Sequence, residues 1–357
     1  MAKSYTIGVI AGDGIGPEVV REALRVLDVS SQIAGFSYDL VHYPWSSQHY
    51  LDTGELMPES IIDEYRKLDA ILLGALGDPR LQPGLIEHNI IMGLRLGLDL
   101  YVNLRPVQCP AEHLSPLKGK GPDEIDFVVV RENTEDLYTG TPSFSKKGTP
   151  DEVVVATGIY TRKGTERVIR YAFDLARARK KQRKLTMVDK ANAVRAHDLW
   201  TRTFAEVGQA YPDIEQDHAY VDAACMWMVK NPEWFDVVVT TNLFGDIITD
   251  LGAMLQGGMG LAASGNIHPG KTSMFEPIHG SAPKYAGQNV ANPLGAISAL
   301  AMLLDYVGEA RAASLIQSAI RALLQSRRIP SLQAGALPTD EVGRMVAAEV
   351  ESLAAKG

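Results

Sequence analysis

The chain has few cysteines, no long apolar run and no excess of basic residues. Cys109 and Cys225 are its only cysteines, too few for a disulfide scaffold or a thiolate metal site. The longest apolar tract, residues 294–304, is far shorter than a membrane span. The formal charge of -8, from 35 basic and 43 acidic residues, argues against nucleic acid or an anionic membrane as the main partner. The first apolar run is too short for a signal peptide, so we expect a cytoplasmic protein.

Short β-branched runs alternate with longer amphipathic segments, which is typical of α/β proteins. A chain of 357 residues can form one large domain or two modest ones. The clearest helix is predicted over residues 164–181, where apolar residues recur on one stripe. The predicted strands are continuous in apolar residues and therefore buried: "YTIGVIAG", "DAILLGAL", "DFVVVREN", "KLTMVDKAN" and "FDVVVTTN".

The glycine cluster "GDGIGPEVV", residues 12–20, lies between a predicted strand and a predicted helix. Pro17 is well placed for the first helical turn. The spacing is not that of the dinucleotide fingerprint GxGxxG, and no acidic residue ends a second strand about twenty residues later. The cluster is either a tight strand-to-helix turn or a loop whose backbone N–H groups approach a ligand.

Acidic residues in apolar surroundings point to a hard cation. Asp246 and Asp250 are four residues apart in "NLFGDIITDLGA", so in a helix both carboxylates lie on one face and repel each other. Asp222, in "HAYVDAACMW", is a third such acid. A divalent ion would remove the repulsion, and ligation by oxygen alone favours Mg²⁺ or Mn²⁺ over zinc. The alternative is that these acids are helix caps or ion-pair partners.

Three arginines, a tyrosine and a lysine are further candidates. Each arginine could bind a carboxylate through two hydrogen bonds, although a single arginine is more often part of a structural ion pair. Arg131 directly follows an apolar strand, where an unpaired guanidinium would be costly. The candidates are Arg95, Arg105, Arg131, Tyr138 and Lys190.

Eight segments together resemble one enzyme family. They are "GDGIGPE", "LRLGLDLYVNLRP", "VVRENTEDLYTG", "DKAN", "YVDA", "NLFGDIITDLGA", "SMFEPIHGSAP" and "VANPLGAI". With them the chain is similar, essentially end to end, to the metal-dependent β-decarboxylating dehydrogenases that act on isopropylmalate, isocitrate, homoisocitrate and D-malate or tartrate. The most specific part is "NLFGDIITDL" followed by "HGSAP".

The resemblance implies a two-domain α/β fold that is not a Rossmann fold. Residues 1–98 and 252–357 would form a large cofactor-binding domain beside which the "GDGIGPE" turn lies. Residues 99–251 would form a smaller central domain for substrate binding and dimerisation. The active site would be shared between the two subunits of a homodimer.

The resemblance also assigns roles to the candidates. The three arginines would bind the carboxylates of a malate-type substrate, and Asp222 from the partner subunit would join Asp246 and Asp250 as metal ligands. Lys190, also from the partner, would deprotonate the substrate hydroxyl, and Tyr138 would protonate the enolate left when CO₂ departs; such steps are typically worth about 10²- to 10⁴-fold in rate. Because all these side chains are present, a non-catalytic regulatory subunit is disfavoured.

The segment "LIEHNIIMGLR" before Arg95 would select the substrate. Ile90, Ile91 and Met92 suit an isopropyl group, and Glu87 would repel a γ-carboxylate. We therefore expect oxidative decarboxylation of 3-isopropylmalate to 4-methyl-2-oxopentanoate, a step of leucine biosynthesis. The alternative, an isocitrate, homoisocitrate or D-malate/tartrate enzyme, makes these residues core and Asn89 the contact to a polar substituent. "ENTEDLY" resembles the isocitrate branch, and Ala193 replaces the Val usual in isopropylmalate enzymes.

The cofactor segment reads "HGSAPKYAG", whereas NAD-using members typically read "HGSAPDIAG". Lys284 cannot accept a hydrogen bond from a ribose hydroxyl but can pair with a 2′-phosphate. Ala291 stands where the NADP pattern has Val. The isopropylmalate assignment favours NAD and Lys284 favours NADP, so we expect NAD, with NADP as the alternative. The residues expected to contact the cofactor are His279, Gly280, Ser281, Ala282, Pro283, Lys284, Tyr285 and Asn292.

Overall fold

The computed structural model describes residues 3–139 and 142–356. The strands are β1 (Ser4–Gly12), β2 (Ser37–Tyr43), β3 (Ala70–Ala75), β4 (Val102–Gln108), β5 (Asp126–Glu132), β6 (Ser143–Ser145), β7 (Val153–Val155), β8 (Lys184–Asp189), β9 (Glu215–Tyr220), β10 (Val237–Thr240), β11 (Ala263–Ile267) and β12 (Ser273–Pro277). The helices are α1 (Gly16–Ala34), α2 (Ser47–Thr53), α3 (Ile62–Tyr65), α4 (Leu85–Glu87), α5 (Gly93–Gly97), α6 (Arg162–Arg179), α7 (Asp198–Gly208), α8 (Val221–Lys230), α9 (Asn242–Leu255), α10 (Leu294–Tyr306), α11 (Ala310–Gln325) and α12 (Thr339–Ala354).

The predicted elements are confirmed. All five predicted strands form, as β1, β3, β5, β8 and β10, and the predicted helix is α6. Asp246 and Asp250 lie in one helix, α9, as expected. Pro17 occupies the first turn of α1. Gly35 caps the carboxyl end of α1 in the left-handed conformation, and the N–H of Gly35 donates to the carbonyl of Ser31.

The chain divides into two compact units. The first comprises Met1–Leu100, Arg105–Ile125 and Ala253–Gly357, and the second comprises Tyr101–Leu104 and Asp126–Gly252. These divisions lie within two residues of the expected boundaries at 98/99 and 251/252. The segment Arg105–Ile125, expected in the central domain, groups instead with the first unit.

In the first unit, five strands follow one another in the order β2-β1-β3-β12-β11. The pairs β1–β2, β1–β3 and β3–β12 are parallel, and β11 runs antiparallel to β12. All six residues of β3 are buried, which explains its continuous apolar sequence. Helix α1 packs against α10, α11 and α12.

In the second unit, the strands β5-β10-β8-β9 form a parallel array. Helix α6 packs on β5, β8 and β10 with a stripe of fully buried side chains, and Phe173 from that stripe stacks on Phe204 and Tyr211. Arg131 and Thr240 are paired at the carboxyl ends of β5 and β10. Functional groups of α/β proteins gather at this edge of a parallel sheet.

Among the residues that the structure describes, none of the helices has the length and apolar character needed to cross a membrane.

Candidate active site

Arg131 is held by the first turns of α9. Its side chain is 1% exposed, and its Nε and Nη2 donate hydrogen bonds to Oδ1 of Asn242 at 3.0 and 2.7 Å. Its Nη1 donates to Oδ1 of Asp246. Burial of a guanidinium requires such partners, since an uncompensated buried charge is costly. The carboxyl end of β5 therefore presents a positive charge that α9 orients.

Asp246 joins Arg131 to Tyr138. The hydroxyl of Tyr138 donates to Oδ2 of Asp246 at 2.6 Å, so the two oxygens of this carboxylate serve different donors. The guanidinium also lies 5.3 Å from the centre of the Tyr138 ring. Arg131, Tyr138 and Asp246 thus form one group, called here the Asp246 cluster. The sequence assigns them different roles: Arg131 binds carboxylates, Tyr138 protonates an intermediate and Asp246 ligates a metal.

Two residues that position this cluster were missed by the sequence analysis. Asn242 supplies the oxygen that binds Arg131, and its Nδ2 donates to the carbonyl of Glu135 at 3.1 Å. Asp136 is buried, and its Oδ2 accepts the N–H of Leu243 at 2.9 Å, which caps α9 from another part of the chain. Asn242 is the first residue of the motif "NLFGDIITDLGA" and lies two residues after β10, and this position of a polar residue was an available signal.

Lys190 and Asp222 form a second cluster. Lys190 directly follows β8, and its ammonium donates to Oδ1 of Asp222 in the first turn of α8. This hydrogen bond lowers the pKa of Asp222. The side chain of Asp222 is 64% exposed, so solvent screens much of the attraction. The ammonium also lies 6.0 Å from the centre of the Tyr220 ring.

The three candidate metal ligands do not meet within one chain. In residues 3–139 and 142–356, no three His, Cys, Asp or Glu side chains are grouped as they would be around a metal ion. Asp246 and Asp250 lie one turn apart on α9 and offer oxygen donors of the kind Mg²⁺ or Mn²⁺ prefers. Asp222 is instead engaged with Lys190. The donor types of the pair on α9 fit a divalent cation.

Arg95 lies beside an acidic residue that was not among the candidates from the sequence. It is buried in α5; its Nε donates to Oδ1 of Asn266 at 2.9 Å, and its Nη2 lies 3.6 Å from Oε1 of Glu276. Nδ2 of Asn266 donates to that same glutamate oxygen at 2.7 Å. Glu276 is the acid in "SMFEPIHG", on buried strand β12. Arg105 is also buried, on β4.

The segment expected to select the substrate forms α4, a π-helical turn over His88–Met92, and α5. Such turns are frequent at functional sites. Ile90 and Met92 are buried and Ile91 is half-buried. Both ends of the Asn89 amide are used by the backbone of Met57: its Oδ1 accepts the N–H at 2.9 Å and its Nδ2 donates to the carbonyl at 3.1 Å.

The turn 12–16 holds the loop 279–285 directly. The N–H of Ile15 donates to the carbonyl of Ser281 at 2.8 Å, and a Cβ on Gly14 would lie 2.8 Å from the carbonyl carbon of that serine. Gly14 has φ +57, so glycine here serves both the turn and the close approach.

The hydroxyl of Ser281 donates to the carbonyl of Gly77 at 2.5 Å. Asp13 accepts from the N–H of Gly77 at 3.0 Å and from the Ser47 hydroxyl at 2.7 Å.

Glu87 lies beside Gly77, whose N–H donates to Asp13 of the turn 12–16. A Cβ placed on Gly77 would be 2.6 Å from Oε1 of Glu87 and 3.7 Å from the Ser281 hydroxyl oxygen. The acid expected next to the substrate therefore adjoins the loop expected to bind the cofactor. Both belong to the first unit.

The remaining residues expected to bind the cofactor have varied surroundings. Ala282 adopts the left-handed conformation at φ +41, which is strained for a residue with a Cβ and is common at functional sites. Burial lowers the pKa of His279, which keeps the imidazole neutral. The ammonium of Lys284, which is exposed, lies 4.6 Å from the ring centre of Tyr285. Oδ1 of Asn292 accepts the N–H of Leu294 at 3.0 Å at the start of α10.

Residues 6–346 match the sequence profile of the isocitrate/isopropylmalate dehydrogenase family. The chain belongs to the isocitrate/isopropylmalate dehydrogenase family. This confirms the expected family and fold class. Dehydrogenases of this family depend in general on a nicotinamide cofactor and a divalent metal ion.

Relatives and solved structures within the family carry two substrate names. The chain is 46% identical over 352 residues to a 3-isopropylmalate dehydrogenase of Thermobifida fusca, with 98% of each chain covered. It is 49% identical over 347 residues to a 3-isopropylmalate dehydrogenase of Mycobacterium avium, covering 96% of this chain and 99% of that one. The crystal structure of isocitrate dehydrogenase from Methylococcus capsulatus matches with a TM-score of 0.85 and 35% identity, covering 97% of this chain and 99% of that one.

Proposed function

We propose that the protein catalyses the oxidative decarboxylation of 3-isopropylmalate to 4-methyl-2-oxopentanoate, with reduction of a nicotinamide cofactor, in leucine biosynthesis. The observation that carries the choice of substrate is the pairing of the Asn89 amide with the backbone of Met57. An isocitrate-type substrate needs a polar contact from this segment, and Asn89 is already engaged. The apolar residues Ile91 and Met92 beside it suit an isopropyl group, and relatives with 46% and 49% identity carry the isopropylmalate name.

The residues of the chain have distinct tasks in this proposal. Arg95, Arg105 and Arg131 bind the two substrate carboxylates and hold the C2–H bond toward the nicotinamide. Lys190 removes the proton from the C2 hydroxyl as hydride leaves. Tyr138 donates a proton to the carbon from which CO₂ has departed, and its hydroxyl already has a defined direction through Asp246.

A divalent ion, when bound by Asp246, Asp250 and Asp222 of a second copy, would supply positive charge beside the C2 oxygen and the adjoining carboxylate. Arg131 and Tyr138 also donate hydrogen bonds to the oxygens of Asp246.

The proposal includes a homodimer in which each site draws on both chains. Lys190 and Asp222 pair with each other within one chain, and Asp222 is not grouped there with Asp246 and Asp250. Large apolar side chains are exposed on the helices that carry these acids: Met226, Val229, Ile247 and Met254. Such exposed apolar surface is typical of protein interfaces.

For the cofactor we propose NAD, with NADP as the second candidate. The specific observation favouring NADP is Lys284, whose exposed ammonium lies over the Tyr285 ring and can pair with a 2′-phosphate. Isocitrate is likewise the second candidate substrate, favoured by the likeness to the Methylococcus capsulatus structure and by the "ENTEDLY" segment.

The test is kcat/KM for 3-isopropylmalate, isocitrate and D-malate, each with NAD⁺ and NADP⁺ and saturating Mg²⁺. A dominant value for 3-isopropylmalate supports the proposal. A dominant value for isocitrate or D-malate overturns it, makes Ile90 to Met92 part of the core alone, and moves the question of specificity to Asn89 and Ala193.

A further inference from the structure

His197 lies beside Lys190 and was not among the candidates from sequence. It ends the 3-10 turn Arg195–His197 that leads into α7, and its side chain is 1% exposed. Its Nδ1 lies 3.1 Å from the backbone nitrogen of Lys190. A peptide N–H can only donate, so Nδ1 is the acceptor and carries no proton. Burial lowers the pKa of His197, which favours the neutral ring that this hydrogen bond requires.

The loop after Lys190 fixes the lysine from both sides. The carbonyl of Lys190 accepts the N–H groups of Ala193 at 2.9 Å and Val194 at 2.7 Å. The N–H of Lys190 donates to His197. Both backbone polar groups of Lys190 are thus satisfied by residues three to seven positions later. The direction in which its side chain leaves the backbone depends on that loop.

The imidazole ring also contacts the elements that carry the Asp246 cluster. It packs edge-on against Tyr160 at 5.2 Å and against Phe244 of α9 at 5.4 Å between ring centres. The hydroxyl of Tyr160 donates to Oδ1 of Asp136 at 2.6 Å, and Asp136 caps α9. A continuous chain of contacts therefore runs from the backbone of Lys190 to the start of the helix that bears Asp246.

We propose that His197 is a positioning residue, whose Nδ1 fixes the backbone of Lys190 and whose ring fixes the lysine loop against α9. The inference rests on the proposed function, in which Lys190 removes the substrate proton. A displacement of about 1 Å at a reacting group can cost about 10²-fold in rate, so fixing this backbone matters for turnover. Binding of the substrate carboxylates, which is the task of the arginines, should depend on His197 much less.

A series of three variants separates the hydrogen bond from packing. His197→Asn keeps an acceptor close to the position of Nδ1, His197→Gln moves the acceptor one bond further out, and His197→Leu keeps bulk without an acceptor. We expect His197→Leu and His197→Gln to lower kcat about 10- to 100-fold with little change in KM, and His197→Asn to recover most of kcat. Equal kcat values for Leu and Asn would overturn the inference.

Two measurements test the same contact without turnover. The ¹⁵N shifts of His197 in the wild-type protein should show a protonated Nε2 and a bare Nδ1; a proton on Nδ1 contradicts the inference. Hydrogen exchange at the Lys190 amide should speed up in His197→Leu and return toward wild type in His197→Asn; unchanged protection in His197→Leu overturns it even if that variant is poorly active.

A wrong proposed function would give a different experimental result from a wrong role for His197. If Lys190→Ala turns over 3-isopropylmalate as fast as wild type, the role of the lysine is wrong. The tautomer and amide exchange of the wild-type chain still report on whether His197 holds the Lys190 backbone.

Discussion

A methyl group on Gly245 would lie 2.6 Å from Cβ of Arg131 and 3.0 Å from its Cδ. Real Cβ atoms do not approach so closely, so the aliphatic stem of Arg131 occupies the space that any other residue would fill. Glycine inside a helix is destabilising by about 0.5–1 kcal/mol relative to alanine. We infer that α9 carries glycine at this position because Arg131 must pass it to reach Asn242 and Asp246.

Gly245→Ala should therefore displace Arg131. Overpacking costs about 1–3 kcal/mol, which exceeds the helix propensity gained. We expect a lower unfolding free energy in denaturant titrations and a higher KM for the substrate, because the guanidinium no longer points along its present direction.

Gly208→Ala is the matched control for this change. It adds the same methyl group to a helix of the second unit, α7, where the neighbour is the end of the Gln216 side chain, with Nε2 at 2.7 Å. That flexible amide can move aside. Gly208→Ala should leave KM near the wild-type value, and an equal rise of KM in both variants would contradict the role given to Gly245.

The strands and helices were predictable because their cause is local. A continuous apolar run such as that of β3, or the stripe of α6, is visible in the sequence. The contacts of the candidate site were not predictable in the same way. Asp136 and Leu243 are 107 residues apart, and Arg95 and Asn266 are 171 apart. Only the fold brings such pairs together, so the motifs gave residue types and the structure gave partners.

Tyr138→Phe should separate proton donation from substrate binding. The change removes the hydroxyl that donates to Asp246 at 2.6 Å and keeps the ring beside Arg131. We expect kcat to fall by about 10²- to 10⁴-fold, the usual worth of a proton-transfer group, with a smaller effect on KM. Tyr211→Phe is the control, since that hydroxyl donates to Asp174 elsewhere in the unit. Comparable losses in the two variants would show a general loss of structure instead.

Mixing two inactive variants tests whether sites are shared between chains. Asp222→Asn and Asp246→Asn should each abolish turnover and weaken Mn²⁺ binding. In a mixed dimer one site carries both changes and the other carries neither. Refolding an equal mixture should restore about a quarter of wild-type activity, because about half of the dimers are mixed and each has one intact site. No recovery in a mixture shown to contain mixed dimers would mean that each chain uses its own Asp222.

Lys284→Asp should change the choice of cofactor. The substitution removes a cation able to bind a 2′-phosphate and supplies an acceptor for ribose hydroxyls. We expect the ratio of kcat/KM for NAD⁺ over that for NADP⁺ to rise by at least about 10-fold, which corresponds to about 1.4 kcal/mol. Lys271→Asp, at another exposed lysine of the first unit, controls for the change in net charge. An unchanged ratio would indicate that Lys284 does not contact the cofactor.

His218 should make stability depend on pH. Its Nε2 lies 2.9 Å from Oδ1 of Asp189, a fully buried carboxylate. The hydrogen bond with Asp189 raises the pKa of His218 above its ordinary value in spite of partial burial. The folded protein thus holds this proton more tightly than the unfolded chain. The contribution to stability is fully present below the unfolded-state pKa of about 6.5 and is lost as pH rises through the folded-state pKa.

We therefore expect His218→Asn to lower the unfolding free energy more at about pH 6 than at about pH 9. The side chain of His218 is 38% exposed, so solvent screens the pair and the difference should be modest. An NMR titration of His218 gives the direct measurement, and its midpoint should fall in Asp189→Asn. A loss of unfolding free energy that is larger at alkaline pH would contradict a raised pKa of His218.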